Sequence, residues 1–117
     1  MMMRKDIGKN GEDEALRFLE AKGYEILQRN YRFKRSEIDL VANKEDLLIF
    51  IEVKVRSSNS YGFPESFVSD NQIDRIMEAA EEYQYQKNWM GNIRFDIISI
   101  EGKGSDLKIT HFKDAFH

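Results

Sequence analysis

The sequence predicts an α/β domain in which a mixed central β-sheet is flanked by α-helices. Apolar residues recur at helical spacing in two segments and alternate with polar residues in five others, which is typical of half-buried strands. The resulting order is one helix, three strands, a second helix and two strands. Short turns join antiparallel strands, whereas a helical crossover usually makes its two strands parallel. The sheet is therefore predicted to be mixed.

Two helices are marked by their end signals. The first is predicted to begin at Gly11, with Asn10 as its N-cap and acidic residues in its first turn, and to end before Gly23. The second is predicted to follow Ser69, because Ser69 with Gln72 three residues later resembles a capping box. Its apolar face is expected to contain Ile73, Ile76, Met77, Ala80 and Tyr83.

The strands follow from alternation and from the turn residues between them. A short first strand is expected to start at Tyr24 and to end near Asn30. The next two form a hairpin, residues 36–41 and 49–56, across a polar turn. A fourth strand is predicted at 93–100 and an edge strand at 107–112.

Length and composition limit the class of protein. The 117 residues and 13.8 kDa fit one domain, residues 1–117. The absence of Cys excludes a thiolate zinc site, and the two His argue against a His-rich one, so any metal is expected to be Mg²⁺ or Mn²⁺. With no apolar run of membrane-spanning length and no secretory signal at the start, we expect a cytoplasmic protein without membrane contact.

Acidic residues followed by one lysine lie on the predicted hairpin. If the turn is centred between Glu45 and Asp46, Asp39 faces Glu52 on the opposite strand. Lys54 lies two residues further on and therefore on the same face. Two opposed carboxylates destabilise a sheet unless a cation lies between them, so this group predicts a site for a metal ion and a phosphate. The alternative is an ordinary half-exposed strand, and a slip of one residue would turn Asp39 away.

The densest run of positive charge precedes this hairpin. It consists of Arg29, Arg32, Lys34 and Arg35, with Tyr31 and Phe33 interleaved. Such a run predicts a nucleic-acid-binding loop, although a solvated loop anchored by two aromatics remains an alternative. Arg56, on the same strand face as Lys54, is a further candidate for a phosphate contact or a solvated charge. The net charge of −3 argues mildly against a general nucleic-acid binder.

Six short motifs in order resemble one known family, the YraN family of small bacterial proteins. They are Gly11-Glu12, Gly23-Tyr24, Arg29-Asn30-Tyr31, Glu37-Ile38-Asp39-Leu40, Phe50-Ile51-Glu52-Val53-Lys54-Val55-Arg56 and Arg94-Phe95-Asp96. The resemblance covers roughly residues 8–100. It implies a restriction-endonuclease-like fold, similar to that of archaeal Holliday-junction resolvases.

The resemblance also implies a set of site residues. Asp39, Glu52 and Lys54 match the catalytic triplet of that superfamily, and Glu12 and Glu37 match further acids. Asp39, Glu52 and Glu12 are the implied metal ligands. Two features depart from the family, which usually has Gly at the position of Ser36 and a basic residue within 70–72.

The expected function is that of a metal-dependent endonuclease, which hydrolyses phosphodiester bonds with Mg²⁺ or Mn²⁺ as cofactor. The expected partner is nucleic acid, with DNA as the first candidate; the sequence does not distinguish DNA from RNA or branched from linear substrates. A non-catalytic nucleic-acid-binding module and a protein-interaction module remain alternatives. The sequence leaves open whether the protein is a monomer or a homodimer.

Overall fold

The structure is a computed structural model that describes residues 4–56, 68–102 and 106–116, without the side chains of residues 4–10. Its elements in chain order are α1 (Arg4–Ala21), β1 (Glu25–Phe33), β2 (Ser36–Lys44), β3 (Leu47–Arg56), α2 (Asp70–Lys87), β4 (Asn92–Glu101) and β5 (Lys108–Phe112). This order confirms the mixed α/β architecture that the sequence predicts.

The strands form one sheet in the order β1-β2-β3-β4-β5. Neighbouring strands are antiparallel except β3 and β4, which are parallel and are joined through α2. Glu45 and Asp46 have positive φ, 52° and 64°, as the central residues of a type I′ hairpin turn do. This turn sets the register in which Leu40 pairs with Ile51. The predicted turn centre, from which the same pairing follows, is thereby confirmed.

The sheet separates two apolar clusters, one beneath each helix. α1 contributes Ala15 and Leu19 to the first cluster. α2 contributes the buried residues Ile76, Ala79, Ala80 and Tyr83 to the second, with Ile73 and Met77 partly buried against it. The predicted apolar face of the second helix is therefore confirmed. In the described ranges, neither helix has the length and apolar content needed to cross a membrane.

Two predicted boundaries are wrong. α1 begins at Arg4, so Asn10 lies inside the helix and does not cap it. No proline precedes Gly11 to stop the helix from extending backwards. β1 continues past Asn30 to Phe33, because pairing with β2 resumes at Tyr31. Tertiary pairing overrides the polar composition of this segment, and Arg29 and Arg32 thus lie on a strand rather than in a loop.

Candidate active site

The hairpin of β2 and β3 divides at its open end, and a cavity lies in the fork. Strand pairing stops at Leu40 and Ile51. Beyond that pair, β2 continues along β1, whereas β3 continues along β4. The first turns of α2 form the third wall of the cavity, which has a volume of about 540 Å³. Its lining residues are Arg35, Ser36, Glu37, Asp39, Glu52, Ser69, Asn71, Gln72, Arg75 and Ile76.

Asp39 and Glu52 occupy the first opposed positions beyond the last strand pair, and both line the cavity. The two carboxyl groups are close enough for each to influence the pKa of the other. The backbone N–H of Val53 donates a hydrogen bond of 2.8 Å to Asp39 Oδ2. The fork therefore brings together two carboxyl groups whose negative charges repel when both are ionised.

The protonation of this pair is unusual for carboxyl groups. Burial, together with the negative charge of Glu52, raises the pKa of Asp39 to about 7, although the Val53 N–H opposes the shift. Burial also raises the pKa of Glu52, against the lowering effect of Lys54. The pair thus keeps a proton up to near-neutral pH.

Two side chains contact the same carboxylate oxygen of Glu52. Lys54 Nζ lies 3.4 Å from Glu52 Oε1, so Glu52 and Lys54 share a face as predicted. Gln72 Nε2, on α2, donates a hydrogen bond of 3.3 Å to the same oxygen. Ser69 Oγ accepts a hydrogen bond of 3.2 Å from the backbone N–H of Gln72, which confirms the predicted N-cap. The side chain of Gln72 is thus directed to Glu52 and links α2 to β3.

The other two predicted acids lie around this pair. Glu37 lines the cavity and forms an ion pair of 3.0 Å with Arg32. Glu12, on α1, has a raised pKa because of burial and the nearby charge of Asp39. It does not belong to the cavity lining given above. Within the described residues, no group of three or more His, Asp or Glu side chains is arranged to hold one metal ion.

Most of the predicted nucleic-acid-binding residues have acidic partners. Arg29 pairs with Asp13 at 2.7 Å, Arg32 with Glu37, and Lys34 with Glu78 at 3.8 Å. Arg35 is the member of the run that lines the cavity. Arg56 lies at the end of β3, where its carbonyl oxygen accepts a hydrogen bond from the Gly102 N–H. These basic residues are close together in sequence, but in the structure they lie in different environments and most of them are paired with acids.

The cavity also contains residues that the sequence prediction missed. The sequence predicts only a capping role for Gln72, and it predicts no role in the site for Arg75 or the buried Ser36. Arg75 is exposed and lies one turn beyond Gln72 on α2. A signal for it was present, since Arg75 is the only cation of α2 before Lys87. Its direction toward the carboxylates depends on how α2 packs, which the sequence does not specify.

A second buried polar cluster lies between β4 and β5. The fully buried Asp96 accepts two hydrogen bonds of 2.8 Å from Arg94, and His111 Nε2 lies 2.7 Å from Asp96 Oδ2. The backbone N–H of Asp114 donates a further hydrogen bond of 2.9 Å. Burial favours the neutral carboxyl, but the bonds from His111, Arg94 and the Asp114 N–H outweigh burial and lower the pKa of Asp96. This arrangement fixes the end of the chain to the sheet, and these residues do not belong to the cavity lining.

Comparison with known proteins places the chain in a family. Residues 11–100 match the model of the uncharacterised protein family UPF0102. A UPF0102 protein of Flavobacterium psychrophilum is 43% identical over 117 residues, which cover 100% of this chain and 98% of the relative. One from Cytophaga hutchinsonii is 48% identical over 96 residues, 82% of this chain and 85% of the relative. This chain therefore belongs to UPF0102, the YraN family that its sequence motifs resemble.

Among solved structures, the chain is similar to SfsA of Pyrococcus furiosus in complex with Ca²⁺. The identity is 16%, the TM-score is 0.34, and the match covers 93% of this chain and 61% of that chain. A TM-score this low does not establish a shared fold.

Proposed function

We propose that this UPF0102 protein is a metal-dependent endonuclease with a restriction-endonuclease-like fold, which hydrolyses phosphodiester bonds in nucleic acid. The observation that carries the proposal is the half-buried pair of Asp39 and Glu52 in the wall of a cavity, with Lys54 beside Glu52. Burying two acids against one lysine destabilises the protein, because the second negative charge lacks a partner. A cost of this kind is common at functional sites.

The donor set fits a hard divalent cation. Asp39 and Glu52 supply carboxylate oxygens, and Mg²⁺ is usually held by one or two carboxylates together with water and substrate phosphates. A cluster of three acidic side chains is therefore not required. A bound Mg²⁺ or Mn²⁺ would polarise a phosphoryl oxygen and lower the pKa of a water molecule. The Val53 N–H and Gln72 orient the two carboxylates toward the cavity.

Positive groups lie next to the carboxylates, as binding of a phosphodiester requires. Lys54 supplies positive charge beside Glu52, where negative charge develops on the phosphoryl oxygens in the transition state. Arg35 and Arg75 line the same cavity, and an Arg guanidinium binds phosphate with paired hydrogen bonds. Ser69 places the positive end of the α2 dipole at the cavity wall. Glu12, near Asp39, would orient a water molecule from the side of α1.

The architecture supports the fold part of the proposal. A five-stranded mixed sheet with one helix on each face supports the proposal of the fold that the YraN resemblance implies. The aligned carboxylates come from adjacent antiparallel strands, as the triplet Asp39, Glu52 and Lys54 requires. The proposal therefore rests on the motifs and on the geometry of the fork, independently of the SfsA similarity.

The experiment is a cleavage assay with matched variants. Labelled four-way-junction, flap and single-stranded DNA are incubated with wild-type protein, Asp39→Asn and Asp46→Asn in Mg²⁺, Mn²⁺ or EDTA. Asp46 is the control because it lies in the turn of the same hairpin, outside the cavity lining, and undergoes the same substitution. An Asn is tolerated at its positive φ.

We expect metal-dependent cleavage by the wild type and by Asp46→Asn, and a large loss in Asp39→Asn. Cleavage that survives unchanged in Asp39→Asn would remove this residue from the mechanism. If the proteins bind the DNA and none of the three cleaves it, the result would favour a non-catalytic nucleic-acid-binding module. Neither binding nor cleavage would favour a protein-interaction module.

A further inference from the structure

The cations that face the cavity are few. Among the described residues, Arg29, Arg32 and Lys34 are engaged in ion pairs with acids of this chain. Arg35 and Arg75 are exposed, line the cavity and form no ion pair with a described carboxylate. Residues 57–67 contain neither Lys nor Arg, so this segment brings no further cation to the site. Lys54 is engaged with Glu52, so among the described residues two arginines and the start of α2 are the main groups left to bind the neighbouring phosphates of a ligand.

The surface next to the cavity is acidic. Beyond Arg75, α2 carries Glu78, Glu81 and Glu82. These three acids line a second cavity of about 340 Å³ with Phe33 and Tyr85. A backbone that continued from the first cavity along α2 would meet negative charge, partly offset by the pairing of Lys34 with Glu78. The positive electrostatic potential that favours phosphate binding is thus confined to the fork.

The size of the fork limits what can enter it. A volume of about 540 Å³ is that of a pocket for one small organic ligand, roughly 300–1,000 Å³. A specific duplex interface buries about 1,000–2,500 Å² of protein surface, which is far more than the wall of a pocket of this size offers. A duplex would therefore lie across the rim, on the acidic surface, and leave its phosphates outside the fork.

We infer that the fork binds a short single-stranded segment of nucleic acid, held by about two to three phosphates, in preference to a duplex. This inference rests on the proposed function and specifies its substrate class. A flexible strand can bend one phosphate toward Asp39 and Glu52 while the neighbouring phosphates contact Arg35 and Arg75. An unpaired end or a flap presents such a strand, whereas an intact duplex does not.

Salt dependence measures the number of phosphates engaged. Each neutralised phosphate contributes about −0.7 to the slope of log affinity against log salt for single strands. Two to three phosphates give a slope of roughly −1.4 to −2, so affinity falls about 7- to 16-fold between 50 and 200 mM salt. A protein with six to ten phosphate contacts on duplex DNA loses about 10³–10⁵ over the same range.

The test is fluorescence anisotropy in Ca²⁺ with labelled dT octamer, U octamer and a duplex of eight base pairs, over 50–300 mM salt. The variant Arg35→Ala/Arg75→Ala removes both cavity arginines. Its matched control, Lys87→Ala/Lys113→Ala, removes one cation from the same helix and one from the segment after β5, both exposed and outside the cavity lining. Melting curves check that both double variants are folded.

We expect the single strands to bind more tightly than the duplex, with the shallow slope given above. Arg35→Ala/Arg75→Ala should flatten the slope to about zero to −0.7, and the control should leave it unchanged. The dT and U arms distinguish DNA from RNA as the source of the strand.

Three results would overturn the inference: tighter duplex binding, a slope steeper than about −4, or equal slopes in the two double variants. Each of these can occur while cleavage still requires metal and Asp39, in which case the proposed function survives. Conversely, single-strand binding that has the shallow salt dependence and requires the two arginines, but occurs without cleavage, would support the inferred ligand. It would refute the proposed nuclease activity.

Discussion

Replacing Asp39 by Asn should stabilise the metal-free protein at pH 8. The substitution removes one of two repelling charges and retains a side chain of the same shape. The amide oxygen can still accept the hydrogen bond from the Val53 N–H, and the amide nitrogen can donate to Glu52. The hydrogen bonds of the fork are therefore kept, and only the electrostatic cost changes.

The magnitude follows from the pKa of Asp39, which rises from 3.8 to about 7 in the folded protein. Each unit is worth 1.36 kcal/mol, so the full shift corresponds to about 4 kcal/mol. Because Asp39 is partly exposed and solvent screens its charge, ionised Asp39 is expected to lower the free energy of unfolding by roughly 2–4 kcal/mol. The folded state binds the proton more tightly than the unfolded state. Stability is therefore lost as pH rises from about 4 to about 7, and the loss is complete above that range.

Thermal unfolding with EDTA, at pH 4 to 8, measures this effect. At about 4 °C per kcal/mol for a chain of this length, Asp39→Asn should melt roughly 8–16 °C above the wild type at pH 8. The difference should vanish toward pH 4, and Asp46→Asn should show neither effect. Adding Mg²⁺ at pH 8 should stabilise the wild type, by about 2.7 kcal/mol at a hundredfold excess over Kd, but not Asp39→Asn. An Asp39→Asn protein that melts at or below the wild type at pH 8 would refute the reasoning.

Three further predictions test other parts of the structure. Lys54→Ala should lower the cleavage rate by roughly 10²–10³ and lower the melting temperature of the metal-free protein at pH 8. Lys54→Arg is the control, because it retains the charge. Equal melting temperatures of Lys54→Ala and the wild type would show that the ion pair with Glu52 does not stabilise the protein. Gly11→Ala places a Cβ 2.4 Å from Val55 Cγ2 and should cost about 1–3 kcal/mol in urea unfolding, and adding Val55→Ala should restore most of the loss. Asp96→Asn leaves Arg94 without its buried carboxylate and should lower the free energy of unfolding, measured in urea, by roughly 3–5 kcal/mol. Because the pKa of Asp96 is lowered in the folded protein, the wild type should lose this contribution to its stability as pH falls below about 4. A cost for Asp96→Asn no greater than that of Asp46→Asn would contradict the last prediction.

The register of the hairpin was predictable because a short-range rule determines it. A two-residue turn at Glu45 and Asp46 leaves one way to pair the flanking strands, and alternation then assigns each side chain to a face. The opposed positions of Asp39 and Glu52 follow from that rule alone. The start of α1 was not predictable in the same way, because a capping residue such as Asn10 is also tolerated inside a helix.

The partners of the basic residues were not predictable from their spacing. Arg29 meets Asp13 through the packing of α1 on the sheet, and Lys34 meets Glu78 through the packing of α2. These contacts join residues far apart in sequence. A sequence shows that cations are concentrated, but the fold decides which of them are neutralised by acids of the same chain.

The position of Arg75 explains how the fork keeps a cation despite the departure from the family pattern. The YraN resemblance implies a basic residue within 70–72, where this chain has Gln72 hydrogen-bonded to Glu52. Arg75 lies three residues along the same helix, a rise of about 4.5 Å, which a long Arg side chain can span. The chain thus separates two tasks, because Gln72 orients a carboxylate while Arg75 supplies charge.

The substitution Gln72→Lys would place a positive charge in the first turn of α2 but remove the hydrogen bond from the Gln72 side-chain amide to Glu52. Single-strand affinity should then rise while cleavage falls, and a parallel rise in both would show that Gln72 does not orient Glu52.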